Sequence, residues 1–229
     1  ASEADVPAGA SAADVIELIS DSESFMELNA AFGSAAKVGV STISGAVVGM
    51  AAYTGVLDAD ACSKAARFVR FCDAFSIPVV SFVDASEFAS LREAVKLSNA
   101  YAEATCAKVT VVTGSAYGPV YIALSGRGAN ADCTIAWANA VVSPIAPAAA
   151  ALFLHNGDLK GSQDPNGDRA KLIEEYKATE ATPIAVAAQG YIEDVIAPEE
   201  TRAKVIANLA MLSAKRVSNL PKKHSNIQL

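Results

Sequence analysis

Apolar and polar positions along the chain divide it into short strands and helices. Residues 37–43 and 46–53 each read as a strand, and Ser44-Gly45 between them is a hairpin signal. Residues 60–75 follow a different period. Ala61, Ala65, Phe68, Val69 and Cys72 recur every three or four positions, which predicts a helix whose basic side carries Lys64, Arg67 and Arg70. Residues 77–84 form a buried strand ending on Asp84, residues 88–105 a second helix, and residues 108–113 the next buried strand. Upstream, Ser11 has the pattern of an N-cap, with Asp14 in the first turn and Val15, Ile16, Leu18 and Ile19 as the apolar stripe. Residues 24–28 read as a short strand.

Downstream, residues 132–137 read as a strand and 147–154 as a helix. Residues 156–167 read as a loop, because Asn156-Gly157, Lys160-Gly161, Asp164-Pro165 and Asn166-Gly167 all mark turns. Residues 168–179 and 182–189 are helical and 191–196 a short strand. Pro198 opens a last helix to about Arg216, with Glu199 and Glu200 near its positive end. Pro221-Lys222-Lys223-His224 is a basic, extended tail. Helix and strand alternate at short intervals in the middle of the chain, as in βαβ units of a mainly parallel sheet. Function in such sheets gathers beyond the carboxyl ends of strands and at helix N-termini, so residues 84–88 and 113–121 are the places to search. No repeat or linker divides the chain. It reads as a flexible lead-in (1–13) and one domain (14–229).

Composition narrows the possibilities. The 229 residues are 52% hydrophobic but only 7% aromatic, and alanine dominates the apolar part. A chain of this length buries enough surface to fold without a metal or disulfide. Its small side chains pack closely but bury little area each, so assembly into an oligomer is expected. The net charge of −7 argues against nucleic acid or an anionic membrane as partner. The acidic start has no signal-peptide character. The uncharged stretches 38–57 and 134–154 are interrupted by Gly39, Gly45, Gly49 and Gly55, and by Asn139, Pro144 and Pro147; they suit buried strands and a core helix better than bilayer spans. A cytoplasmic location follows as the expectation.

Familiar chemistry is scarce. Cys62, Cys72, Cys106 and Cys133 match no zinc or redox spacing, and two histidines exclude a multi-His metal site. His155 suits a helix C-cap, and Asp58/Asp60 and Glu199/Glu200 suit helix starts. Gly126-Arg127-Gly128 is too short for a phosphate loop. The suggestive segment is Thr113-Gly114-Ser115-Ala116-Tyr117-Gly118-Pro119-Val120-Tyr121, where a strand runs into a helix and backbone N–H groups can stabilise an oxyanion or enolate.

Several long collinear blocks carry a resemblance. They are Ser63-Lys64-Ala65-Ala66-Arg67-Phe68-Val69-Arg70-Phe71-Cys72-Asp73-Ala74-Phe75-Ser76-Ile77-Pro78-Val79-Val80-Ser81-Phe82-Val83-Asp84, then Tyr101-Ala102-Glu103-Ala104-Thr105, then Gly190-Tyr191-Ile192-Glu193-Asp194-Val195-Ile196-Ala197-Pro198-Glu199-Glu200-Thr201-Arg202, and the ending Pro221-Lys222-Lys223-His224-Ser225-Asn226-Ile227-Gln228-Leu229. From about Asp14 onward the chain resembles the C-terminal half of the carboxyltransferase subunits of biotin-dependent acyl-CoA carboxylases and decarboxylases. The resemblance implies an α/β crotonase-type ββα-spiral fold and a biotin-side domain. It also implies biotin on a partner carrier protein, a coenzyme A thioester as substrate, no metal, a homo-oligomer, and a partner supplying the CoA-binding half.

The family's carbonyl-polarising amides map to two places. The first is expected in the turn after the strand ending at Asp84. There the family's Val-Asp-x-Pro-Gly-Phe reads Val83-Asp84-Ala85-Ser86-Glu87-Phe88, and the following stretch is about ten residues short. The second is the family's Ala-Tyr-Gly-Gly-Ala-Tyr-Asp, here Ala116-Tyr117-Gly118-Pro119-Val120-Tyr121-Ile122. Pro119 has no N–H to give. Ile122 replaces an acid that the family uses in shaping substrate choice. Gly118 and Val120 are the candidate oxyanion amides. Asp84, Ser86, Glu87, Tyr117, Pro119 and Ile122 are the candidate substrate and biotin contacts. The two segments are expected close together, within about a dozen ångströms. The altered turns also raise two other readings: a catalytically degenerate structural or regulatory subunit, and a different crotonase-type CoA-thioester enzyme.

Overall fold

A computed structural model of the chain describes residues 6–127 and 130–217, the side chain of Asp158 excepted. The first part runs α1 (Ala12–Ile19), β1 (Met26–Leu28), β2 (Ala36–Ile43), β3 (Ala46–Leu57), α2 (Ala59–Ala74), β4 (Val79–Phe88), α3 (Leu91–Glu103) and β5 (Lys108–Tyr117). A π-helical turn (Tyr121–Ser125) leads to β6 (Cys133–Trp137) and β7 (Val141–Ser143). Then come α4 (Pro147–Leu154), α5 (Asn156–Gly161), α6 (Pro165–Thr179), α7 (Pro183–Ala188), β8 (Asp194–Ile196), a 3-10 turn (Pro198–Glu200) and α8 (Thr201–Leu212).

The eight strands of the described residues lie in one sheet, in the order β1-β2-β3-β4-β5-β6-β8, with β7 also pairing with β5. The β1–β2–β3 part is antiparallel and the remainder parallel. The change of direction starts at the Ser44-Gly45 hairpin, where both residues have positive φ (53° and 78°). That backbone matches the twist of the strands it joins. Asp21 holds the turn by accepting from the N–H groups of Ser44 (3.0 Å) and Gly45 (2.8 Å).

Successive residues of the central strands serve opposite cores, as strand geometry requires. Tyr53, Val79, Val83, Val112 and Ala116 pack with α2 and α3 on one face. Met50, Ala52, Val80, Phe82, Val109 and Val111 pack with α1 and α8 on the other. Strands covered on both faces read as nearly continuous apolar runs, as these do. Most buried polar groups in these layers are paired, Ser125 Oγ being an exception. Tyr101 joins its hydroxyl to those of Tyr53 and Ser81, both at 2.7 Å. Lys108 donates to the carbonyls of Tyr101 (2.6 Å) and Ala104 (3.0 Å) at the end of α3.

Several expected boundaries shift. Lys64 leaves the exposed basic side of α2: it is buried, and its Nζ donates to Phe32 O at 2.8 Å. The strand expected to end at Asp84 continues to Phe88, and the strand expected to end at Thr113 continues to Tyr117. Pairing with neighbouring strands carries both beyond the end of their apolar runs. The expected loop at 156–167 instead contains α5 and the start of α6. Pro165 suits the first turn of α6, and Asp164 caps it through Gly167 N–H at 3.1 Å, so the turn residues begin a helix. β7 was not expected. The last helix stops at Leu212, short of Arg216. The basic tail and Gly128 lie outside the described residues. Among the described residues, no helix is long and apolar enough to cross a membrane.

Arg202 ties α8 to this frame by donating to Ile19 O and to Asp21 Oδ1, the latter at 2.6 Å. That guanidinium, followed by the Gly45 N–H, holds the Asp21 carboxyl well below its ordinary value. Asp21→Asn is expected to cost about 1–2 kcal/mol at pH 7, the modest end for a charge-assisted pair that is partly exposed. A carboxyl depressed in the folded state contributes fully above its unfolded value near 4, and its contribution fades as pH falls below that. Denaturant unfolding of parent and variant should therefore differ at pH 7 and converge toward pH 2.

Candidate functional site

The candidate segments lie side by side at the carboxyl ends of β4 and β5. The ladder between these strands is regular from Val79↔Lys108 to Val83↔Val112, and resumes at Ala85↔Ala116. Asp84 bridges the irregular stretch: its Oδ1 accepts from Ser115 N–H at 2.7 Å. On the other side of β4, Gly55 pairs with Ala85 and Val56 with Glu87, which leaves Ser86 as the extra residue. Gly55 has φ +67°, the left-handed geometry that glycine adopts without strain. Bulges of this kind re-aim side chains and are frequent beside functional sites. Here Ser86 is half-buried and Glu87 exposed. The first segment is therefore a bulged strand, where a turn was expected.

The second segment bends at Gly118, whose φ is +58°. Pro119 follows, exposed, and then Val120, fully buried. Ile122 N–H closes the bend on Gly118 O at 3.2 Å. The π-helical turn is held by side chains that satisfy its carbonyls. Asn130 donates to Ala123 O (2.6 Å), Thr110 to Leu124 O (2.8 Å) and Thr134 to Ser125 O (3.0 Å). Tyr121 OH donates to Tyr191 O at 3.2 Å, and burial pushes its phenol upward. The Ile122 side chain is 57% exposed.

The N–H groups are unevenly available. Gly118 N–H donates to Ser143 O at 2.9 Å, so this candidate oxyanion donor is already used. Ser115 N–H is used by Asp84. Pro119 has none. Val120 stands in the first turn after the bend, where helix geometry supplies no intrahelical partner. Its amide is the candidate donor left. The Asp84 carboxylate, expected to face a ligand, is turned toward Ser115 instead.

Ser143 and Tyr176 were missed by sequence reasoning. Ser143 Oγ shares a hydrogen bond with Tyr176 OH (3.0 Å) and accepts from Ile145 N–H (3.2 Å), while its carbonyl fixes Gly118. Nothing local to these residues signals that β7 and α6 meet at the Gly118 bend.

The comparisons with known proteins bear on this geometry. Residues 6–227 match the carboxyl transferase domain family. The propionyl-CoA carboxylase carboxyltransferase subunit of Haloferax mediterranei is 38% identical over 230 residues, covering 94% of this chain and 45% of that protein. The methylmalonyl-CoA carboxyltransferase 12S subunit of Propionibacterium freudenreichii subsp. shermanii is 37% identical, with coverages of 93% and 43%. The chain spans less than half the length of these curated relatives. It superposes on a crystal structure of transcarboxylase 12S, described as a hexamer assembly with methylmalonyl-coenzyme A and methylmalonic acid bound. The TM-score is 0.88 at 34% identity, over 98% of this chain and 46% of that one. The beta subunit of P. aeruginosa geranyl-CoA carboxylase, at 20% identity and a TM-score of 0.76 over 88% of this chain and 41% of that one, shares the fold.

The bend itself is testable. A Cβ on Gly118 would meet nothing closer than Ala146 N at 3.7 Å, so Gly118→Ala isolates the cost of the left-handed backbone. The expected loss is about 1–2 kcal/mol in denaturant unfolding. From its sequence match, its superposition and its crotonase-type α/β fold, this chain belongs to the carboxyl transferase domain family.

Proposed function

We propose that this chain is the biotin-side half of an acyl-CoA carboxyltransferase or decarboxylase, acting with a partner that supplies the CoA-binding half. The observation that carries the reading is the pairing of Ala85 with Ala116, which sets the family's two site segments beside each other. Carboxybiotin on a carrier protein would supply or accept the carboxyl group, and an acyl-CoA would exchange it. The relatives' names, propionyl-CoA carboxylase and methylmalonyl-CoA carboxyltransferase among them, point to short-chain acyl-CoA substrates. For this chain's part, the Val120 N–H is the candidate donor to a ureido or thioester carbonyl, and the fully buried Val120 would have to be uncovered for it to act. Gly118 shapes the bend, and Tyr117 and Ser86 flank it. Glu87 adds a negative charge where the family pattern has glycine, which disfavours an anionic carboxyl group. A complex of this kind would work in the cytoplasm.

A partner also suits the surface. Ile145, Leu152, Phe153 and Leu154 are 43–83% exposed on and before α4, close along the chain to the Gly118–Ser143 contact. An apolar cluster of this kind marks an interaction site.

A second reading is favoured by the use of Gly118 N–H and the absence of one at Pro119. A subunit that keeps the fold and assembly surfaces without catalysing transfer would show this pattern. Losing one oxyanion donor alone costs about a hundredfold or more in rate.

Native purification of the chain from its own cell, read by mass spectrometry, tests the proposal. A CoA-binding carboxyltransferase half and a biotin carrier should co-elute. Recovery as a homo-oligomer alone would overturn the biotin-side reading. Phe153→Asp with Leu154→Asp should abolish co-elution while leaving the chain folded by circular dichroism. In the recovered complex, Pro119→Gly combined with Glu87→Gly should raise carboxyl transfer about a hundredfold if a missing donor limits the rate. No measurable transfer in either form would favour the assembly subunit.

A further inference from the structure

We propose that Asp84 is a positioning residue, whose carboxylate occupies the space left by Gly114 and sets the register in which the end of β5 runs beside the end of β4. Between Val83↔Val112 and Ala85↔Ala116, one residue of β4 faces three of β5. The partner offset grows from 29 to 31 across that step. Two extra residues on β5 draw its end back by about 7 Å relative to β4. Because the shift is even, side chains of β5 keep their faces, and Ala116 stays in the same core as Val112.

An irregularity of this size leaves ladder groups without strand partners, and Asp84 supplies the replacement. Its Oδ1 accepts from Ser115 N–H at 2.7 Å, a charge-assisted bond shorter than an ordinary backbone pair. Thr113 Oγ1 reaches Val83 O at 3.4 Å from the same stretch. A Cβ on Gly114 would overlap the Asp84 carboxylate, so the two positions are coupled: the acid fits because residue 114 has no side chain. Without the carboxylate, the regular register would place Gly114 beside Ala85. Tyr117 and Gly118 would then run past Ser86 and Glu87 and no longer lie level with them. The role of this register in carboxyl transfer rests on the function proposed above, whereas the device itself does not.

Hydrogen exchange of the chain alone, followed residue by residue by NMR, tests it without any activity assay. Absence of carboxyl transfer would therefore count against the proposed function only. Asp84→Ala should speed exchange of the Ser115 amide at least tenfold and raise exchange across 115–121, while α1 and α8 keep their protection. Asp84→Asn retains an acceptor oxygen and should stay within about threefold of the parent. Gly114→Ala should free the Ser115 amide as Asp84→Ala does. The double variant should show less than the combined effect, because the methyl group then has room. Should Asp84→Ala fail to fold, Asp84→Asn and Gly114→Ala decide between them. An unchanged Ser115 amide in Asp84→Ala or Gly114→Ala, a loss spread evenly to α1 and α8, or an asparagine variant as unprotected as the alanine one would each overturn the proposal.

Discussion

Burial of β3, β4 and β5 on both faces is the constraint on which the rest depends. A strand between two helical layers has no solvent face on which polar chemistry can sit. A polar side chain kept inside does best with a protein partner, since an unpaired one costs about 1–3 kcal/mol. Tyr53, Ser81 and Tyr101 meet this condition with one shared chain of hydroxyls, and Lys64 and Lys108 with backbone carbonyls. Reactive geometry is thereby confined to the strand ends, where the ladder can break. The bulges at Ser86 and Thr113–Ser115 are such breaks, and they lie next to one another.

The middle of the chain was the most legible in sequence, for the same reason. Strands buried on both faces and helices with one buried stripe write strong periodic patterns, so α2, α3 and the starts of β4 and β5 could be read with small boundary errors. Legibility failed where structure depends on distant partners. β4 and β5 outlast their apolar runs because neighbouring strands pair with their polar ends. α5 and the start of α6 hide behind Gly and Pro pairs that local rules assign to turns. Lys64 looked like surface because its carbonyl partner, Phe32, lies 32 residues away.

The site shows a sharper version of the same limit. Motif comparison pointed to two segments that lie side by side in the fold but could not say which N–H groups are spent. Gly118 kept its residue identity, while its amide was committed to Ser143 through a contact invisible in the sequence. Pro119 was legible at once, because the loss of an N–H is a covalent fact. Substitutions that change covalent chemistry can be judged from sequence, whereas the availability of a donor is a property of the packed structure.

All four cysteines are buried, and burial pushes Cys62 and Cys72 to about 12 and Cys106 and Cys133 to about 11. At neutral pH nearly all of each thiol is protonated, and the thiolate is the nucleophile. Burial and protonation together should make the native protein slow to react with alkylating reagents. Cys62 and Cys72 lie on the buried face of α2 and share one core with Cys106, before β5, whereas Cys133 in β6 belongs to the core on the other face, so labelling distinguishes the opening of the two layers. The chain thus carries four built-in reporters of local unfolding, with no probe added.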